Sequence, residues 1–193
     1  EHGHGIETSM SADERQEVKR MAAARGVEIG CLATSLQFAL PEKADETIAY
    51  SREVINLAGD LGCPMLRVFG GDYGESVSRE QATELCITGL SAVADYAHEQ
   101  NVVLAFETHD AWTDPDLVVS LIEKVNSPAV RVNWDFMHPL RQSGVSIEKS
   151  FEILQDLIAH VHVHDGNLDL DNLQVLPMGT GEIDHKIAIR LLR

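Results

Sequence analysis

The chain has 193 residues, with 15 Lys+Arg against 31 Asp+Glu and a formal net charge of −16. Apolar residues make up 44% and charged residues 24%, the balance of a globular domain rather than a disordered tail. Such acidity disfavours nucleic-acid phosphate and anionic membrane surface as partners, and no apolar run approaches the ~20 residues of a membrane span.

In chain order, Ala12 to Arg25 has helical periodicity, with Ser11 as N-cap, Glu14 completing a capping box and Gly26 closing it. Val27–Ser35 reads as a strand. Ala44–Leu61 reads as a helix stopped by Gly62, and Pro64–Gly70 as a strand. Ser78–Gln100 is a third helix and Val102–Thr108 a strand. Asp114 caps a helix running to Val125, with Pro115 at its first position. Val130–Asp135 is a strand, Ile147–Ile158 a helix and His160–Asp165 a strand. A polar connection over Gly166–Gly181 leads to a last helix, Ile183–Leu192, for which Asp184 serves as N-cap.

This alternation describes parallel β/α units. Gly70-Gly71 is followed by Asp72-Tyr73, which is no dinucleotide fingerprint, so an open nucleotide-binding sheet is disfavoured. Strand starts recur about every 33 residues, and eight such units make ~250 residues, the size of a (β/α)8 TIM barrel. The reading is one α/β domain over residues 1–193, a TIM barrel incompletely represented, with about five of its eight strands. Glu1 is not a natural start, so the first strands are expected before it and the last beyond Arg193. His2 and His4 fall in an exposed initial loop on this reading. The three cysteines (Cys31, Cys63 and Cys86) are too scattered for a disulfide scaffold and point to a reducing cytoplasm.

Strand parity separates two faces. Val130, Val132 and Trp134 oppose Arg131, Asn133 and Asp135. Leu104 and Phe106 oppose Ala105, Glu107 and His109. Val161 and Val163 oppose His160, His162 and His164. In a parallel barrel the apolar face packs on helices, so the polar face points inward. Buried carboxylates and imidazoles must be paired, hydrogen-bonded or metal-bound, since leaving one uncompensated costs several kcal/mol. They cluster late in each strand, at the catalytic rim of such a barrel. Glu107, Asp135 and one of His160, His162 or His164 make an oxygen/nitrogen donor set that suits Mn²⁺, Mg²⁺, Co²⁺ or Zn²⁺. The competing reading is a buried ion-pair network. Arg67 faces inward with Met65 and Phe69; it binds a substrate carboxylate or phosphate, or pairs with a core acid such as Glu28. Phe69 and Trp112 either wall a sugar face or pack in the core.

Glu107-Thr-His109, Asn133-Trp-Asp135-Phe-Met-His138-Pro139, His160-Val-His162-Val-His164-Asp165 and Gly179-Thr-Gly181-Glu-Ile-Asp184 resemble, in this order, the xylose isomerase-like TIM-barrel superfamily. Its members include sugar phosphate isomerases and epimerases, ketose 3-epimerases, inosose dehydratase and endonuclease IV. The resemblance spans nearly the whole chain, Leu66-Arg-Val-Phe-Gly-Gly71 included. It implies one divalent metal ion held by Glu107, Asp135 and His162, with a fourth ligand, a Glu, on a strand beyond Arg193. It implies a substrate contact for His138. His109, His164 and Arg67 are further substrate-binding candidates. The extra histidines with which endonuclease IV holds three zinc ions are missing from Leu32-Ala-Thr-Ser35 and Phe69-Gly-Gly71, which, with the charge, disfavours DNA cleavage.

A divalent cation bound to a sugar carbonyl and its neighbouring hydroxyl acidifies the adjacent C–H by stabilising an enediolate. Glu107 is the candidate base and His138 a proton relay. Return of the proton isomerises or epimerises. Loss of a β-hydroxyl dehydrates, as in an inosose-type lyase; a barrel without catalysis would only bind the sugar or a partner protein. The expected activity is a metal-dependent isomerase or epimerase of a sugar, sugar phosphate or related polyol, with no nucleic-acid or membrane partner. Homodimers and tetramers are common in the families it resembles.

Overall fold

In the computed structural model, which describes residues 5–193, five strands form one parallel sheet in sequence order, wrapped by helices. His2 and His4 lie outside the described residues. Helix α1 (Ala12–Ala24) starts on the Ser11–Glu14 capping box that the sequence specifies. Strand β1 (Leu32–Gln37) is followed by a short 3₁₀ turn and α2 (Ala44–Leu61), which ends at Gly62 in the left-handed region, φ 70°. Then come β2 (Met65–Phe69), α3 (Arg79–Glu99), β3 (Val103–Glu107) and α4 (Pro115–Val125). The chain finishes with β4 (Val130–Asp135), α5 (Met137–Ser143), α6 (Ile147–Leu154), β5 (Ile158–His162) and α7 (His185–Leu191).

The core lies between sheet and helices. Leu66, Val68, Leu104, Phe106, Val130, Val132 and Trp134 are wholly buried, all on the strand face assigned to the helices. Each such side chain contributes ~1.5–3 kcal/mol of hydrophobic free energy. From the helices, Ile55, Ala58, Leu90, Val93, Leu121 and Leu154 meet them. Trp134 completes its burial by donating its indole N–H to Ser150 Oγ at 2.6 Å.

The largest differences from the sequence reading concern β1, α5, α6 and β5. Strand β1 begins at Leu32, not Val27, because Glu28 and Gly30 are exposed and Val27–Cys31 has no ladder partner. The helix that begins at Ile147 stops at Leu154, and Ile158 already belongs to β5. Strand β5 ends at His162, leaving His164 and Asp165 in the following segment. A short helix, α5, occupies Met137–Ser143 where no helix was expected; Pro139 sits in its first turn, where its missing N–H costs nothing.

Candidate metal centre at the strand ends

Because all five strands run parallel, their C-terminal ends lie along one edge of the sheet. Glu107, Asp135 and His162 are each the last residue of their strand. Register brings them together: Glu107 is opposite Asn133, and Asp135 is opposite His162. One ligand atom from each of Glu107, Asp135 and His162 lies within 4.8 Å of the other two. Glu107 is 1% exposed and Asp135 is fully buried.

Glu107 is held by three donors on one oxygen. Its Oε2 lies 2.9 Å from Arg67 Nη1 and 3.1 Å from Asn133 Nδ2, with His162 Nδ1 also at 3.1 Å. Burial alone would raise its pKa, but the hydrogen bonds from His162 and Arg67 prevail and hold it at about 2. Its Oε1 makes no hydrogen bond to the described residues, so that oxygen is the one left for an ion or a proton. Arg67 thus pairs with Glu107 and not with Glu28, which is exposed. Its guanidinium carbon also stands 4.0 Å from the centre of the Phe69 ring.

Asp135 is positioned by backbone and by Thr108. The Thr108 hydroxyl donates to Asp135 O and accepts from Asp135 N–H, both at 2.9 Å, locking the ends of β3 and β4 together. Asp135 Oδ1 accepts the Met137 N–H at 3.1 Å, and Oδ2 bonds the Nδ1 of His164. That bond raises the His164 pKa. His138 Nε2 stands 3.7 Å from the same Oδ2. His138 is 4% exposed, its pKa is lowered by burial, and its Nδ1 has no hydrogen-bond partner. Asp135, His138 and His164 therefore form a second donor group of the same spacing around the shared carboxylate.

A wall of rings borders the centre. His109 packs on Phe69 and His138, with ring centres 5.1 and 4.2 Å apart. Its Nδ1 is 2.6 Å from Asp110 Oδ1; burial works against the charged ring, but this partner outweighs it and the His109 pKa is raised. Asp110 adopts φ 51°, a left-handed conformation that Asp tolerates better than most residues. Trp112 is fully buried and donates its N–H to Gly71 O at 2.8 Å, so it packs in the core while Phe69 lines the site. A Cβ on Gly70 would overlap the indole ring.

The segment after β5 is organised from beneath by buried Asp165. Its carboxylate accepts the N–H groups of Gly166, Gly179, Gly181 and Ile183, which lowers its pKa. Arg141 of α5 donates from Nε to Asp169 O and from Nη2 to Leu170 O, each at 2.8 Å. Asp184 caps α7 through Lys186 N–H, as expected.

The structure brings together Glu107, Asp135, His162, His109, His164 and Arg67, which strand parity set on one face, with His138, which the resemblance singled out, beside them. Asn133, Thr108 and Asp110 were not among the candidates. Asn133 shares the polar face of β4 and was available from parity; Thr108 lies on the opposite face and acts across the strand ends, which no alternation reveals. The donor set fits a divalent ion: two carboxylates and an imidazole converge, and the buried acceptor Asn133 Oδ1 stays unpartnered beside them.

No curated protein sequence matches the chain. Solved structures resemble it in fold at low identity. A xylose isomerase domain protein from Planctomyces limnophilus superposes with a TM-score of 0.82 at 17% identity, covering 99% of this chain and 74% of its own. The probable 3-DHS dehydratase AsbF of Bacillus anthracis gives 0.79 at 18% identity, over 98% and 74%. A D-psicose 3-epimerase gives 0.78 at 17% identity, over 98% and 68%. The family described as xylose isomerase-like TIM barrel matches residues 2–193, and the chain belongs to that family.

Proposed function

We propose that the protein is a divalent-metal-dependent isomerase or epimerase of a sugar or related polyol, with Glu107, Asp135 and His162 holding the ion. The observation that carries this reading is the meeting of three ligand atoms, from the ends of three adjacent strands, within 4.8 Å. When bound, the ion supplies Lewis acidity to a carbonyl and its neighbouring hydroxyl. The protein supplies the rest. Arg67, Asn133 and the Thr108 bridge fix the two carboxylates before substrate arrives. In this reading two groups carry the proton: Glu107, through whichever carboxylate oxygen the ion leaves free, and His138, whose pKa burial lowers and whose Nδ1 is unpartnered. His109, whose pKa the Asp110 carboxylate raises, and His164 border the same centre and in this reading orient hydroxyls. Phe69 offers an apolar ring to one face of the substrate.

A dehydratase shares the first proton abstraction and differs only in what leaves. The fold likeness to a probable dehydratase keeps it as the second reading. The test is incubation with Mn²⁺ and a panel of ketoses, keto-inositols and hydroxypyruvate in D₂O. Deuterium in recovered or isomerised sugar, without water loss, is expected. Water loss supports the second reading, and binding with neither supports a sugar-binding barrel without catalysis.

A further inference from the structure

The His109 ring is held in its plane by packing and in its direction by a single atom. It tilts against Phe69, with ring centres 5.1 Å apart, and stands roughly edge-on to His138 at 4.2 Å. A half-turn about Cβ–Cγ keeps that plane and exchanges Nδ1 with Cδ2 and Nε2 with Cε1. Neither neighbouring ring distinguishes the two settings. Asp110 does. Its Oδ1 lies 2.6 Å from His109 Nδ1, a hydrogen bond that the flipped ring, presenting carbon there, cannot make. Nδ1 carries its proton toward that carboxylate whether the ring is neutral or charged. Nε2 is the nitrogen left over. It makes no hydrogen bond to the described residues, it is not sealed, and the side chain is 32% exposed.

The backbone of Asp110 adds a second observation. Its φ of 51° is left-handed, where glycine is at ease and most side chains are a burden. Two other non-glycine residues among those described take this conformation, Asn101 and Asn126, and both sit at the end of a helix. Asp110 closes no helix. It lies in the turn between β3 and α4, already fastened by His109 N–H on Glu107 O and Trp112 N–H on His109 O. The turn after β2 meets a similar demand with Gly71, φ 82°. Glycine would serve the backbone at residue 110 as well. What glycine would lose is the contact with His109, to which the Asp110 carboxylate is committed.

We propose that Asp110 is a positioning residue for substrate, setting His109 with Nδ1 turned to its own carboxylate and Nε2 presented to a hydroxyl of a ligand held at the strand-end centre. This rests on the metal-dependent reading above and deepens it by a residue that acts only through the ring beside it.

The test uses the full chain with two variants. Asp110→Gly relaxes the backbone and deletes the carboxylate, whereas Asp110→Asn retains an Oδ1 that accepts from Nδ1. Ring ¹⁵N–¹H correlation on histidine-labelled, Mg²⁺-loaded protein reads which nitrogen carries the proton, the His109 signal being identified by its loss in His109→Gln. Wild type and Asp110→Asn should hold a proton on Nδ1, and Asp110→Gly should shift it toward Nε2, the setting that a free imidazole side chain prefers. Asp110→Gly should bind Mn²⁺ as wild type does, with a thermal midpoint no lower, which separates ring direction from a folding defect. Turnover is followed as deuterium incorporation into the ketose of the panel that exchanges fastest. Asp110→Gly should raise KM by about tenfold, the loss of one directed hydrogen bond, with a smaller change in kcat, and Asp110→Asn should return KM to within about threefold of wild type. An identical His109 signal in all three proteins, or a KM that Asp110→Gly leaves unchanged, overturns the proposal and leaves the metal-dependent reading standing. Asp110→Asn as impaired as Asp110→Gly also overturns it, since charge and not ring direction would then be at work. Mn²⁺ binding without exchange of any panel sugar overturns the substrate role of His109 and the proposal with it. Absence of Mn²⁺ binding overturns the metal-dependent reading and the proposal together.

Discussion

Arg67 Nη1 and Glu107 Oε2 meet at 2.9 Å across the β2–β3 ladder, a cation and an anion from neighbouring strands with Glu107 sealed from solvent. Removing one member of such a pair strands the other. Arg67→Met should destabilise the fold by about 3 kcal/mol, because His162 and Asn133 cannot replace the full charge. Arg67→Met combined with Glu107→Gln should recover much of that loss. Urea denaturation of the two singles and the double measures the coupling; strictly additive losses would mean the pair is not energetically linked.

The ligand assignment separates three histidines that alternation places on one face. Glu107→Gln, Asp135→Asn and His162→Ala should each weaken Mn²⁺ or Zn²⁺ binding by more than about tenfold. His160→Gln should not, since His160 lies opposite Asn133 in the ladder, below the strand ends. Equilibrium dialysis against metal buffers reads both. A His160 variant that loses the ion while the His162 variant retains it would move the centre one pair down the sheet.

Gly70 is a steric requirement. A methyl group there meets the Trp112 indole, whose N–H is committed to Gly71 O. Gly70→Ala should cost about 2 kcal/mol or more through overpacking, seen as a lowered thermal midpoint. Trp112→Phe in the same chain should relieve part of the clash, so the double variant should lose less than the sum.

Asp165 makes stability depend on acid. Its carboxyl titrates below the ordinary Asp value of 3.8 because Gly181, Gly179, Gly166 and Ile183 donate to the charged form. The folded state therefore binds this proton less readily than the unfolded one. Its contribution is complete above the unfolded pKa and is lost as pH falls through the folded one, beginning near about pH 4. Asp165→Asn should lower the urea midpoint at neutral pH and flatten its decline between about pH 5 and pH 3. An unchanged pH slope would show that other carboxylates govern acid unfolding.

The legibility of the chain was uneven, for physical reasons. Val130–Asp135 and Ala44–Leu61 agree with the sequence reading at both ends, since one alternates strictly and the other is punctuated by Gly62. Glu107 and Asp135 were readable because period-two alternation and parallel topology together send late-strand polar groups to one rim, whereas alternation left His160, His162 and His164 equivalent and only the resemblance singled out His162. Strand β5 was read three residues too far at its end because His160-Val-His162-Val-His164 keeps alternating after the ladder has stopped. Helix α5 was invisible because Pro139 reads as a break, although at a helix start it is tolerated. The work of Thr108 and Asp165 depends on contacts to backbone distant in sequence, and no local pattern announces it.

Arg141 grips two successive carbonyls of the stretch beyond β5 from a helix that starts two residues after Asp135. The helix after β4 and the segment after β5 are thereby tied by one guanidinium. Residues 171–176 are fixed along their length as well, by Asn167 bonding Asn172 and Gln174, the Gly166–Val175 bridge and the Leu176 N–H on Asp165 O. The stretch that follows the last ligand is thus cross-braced, so cutting the Arg141 tie would remove one fastening among several.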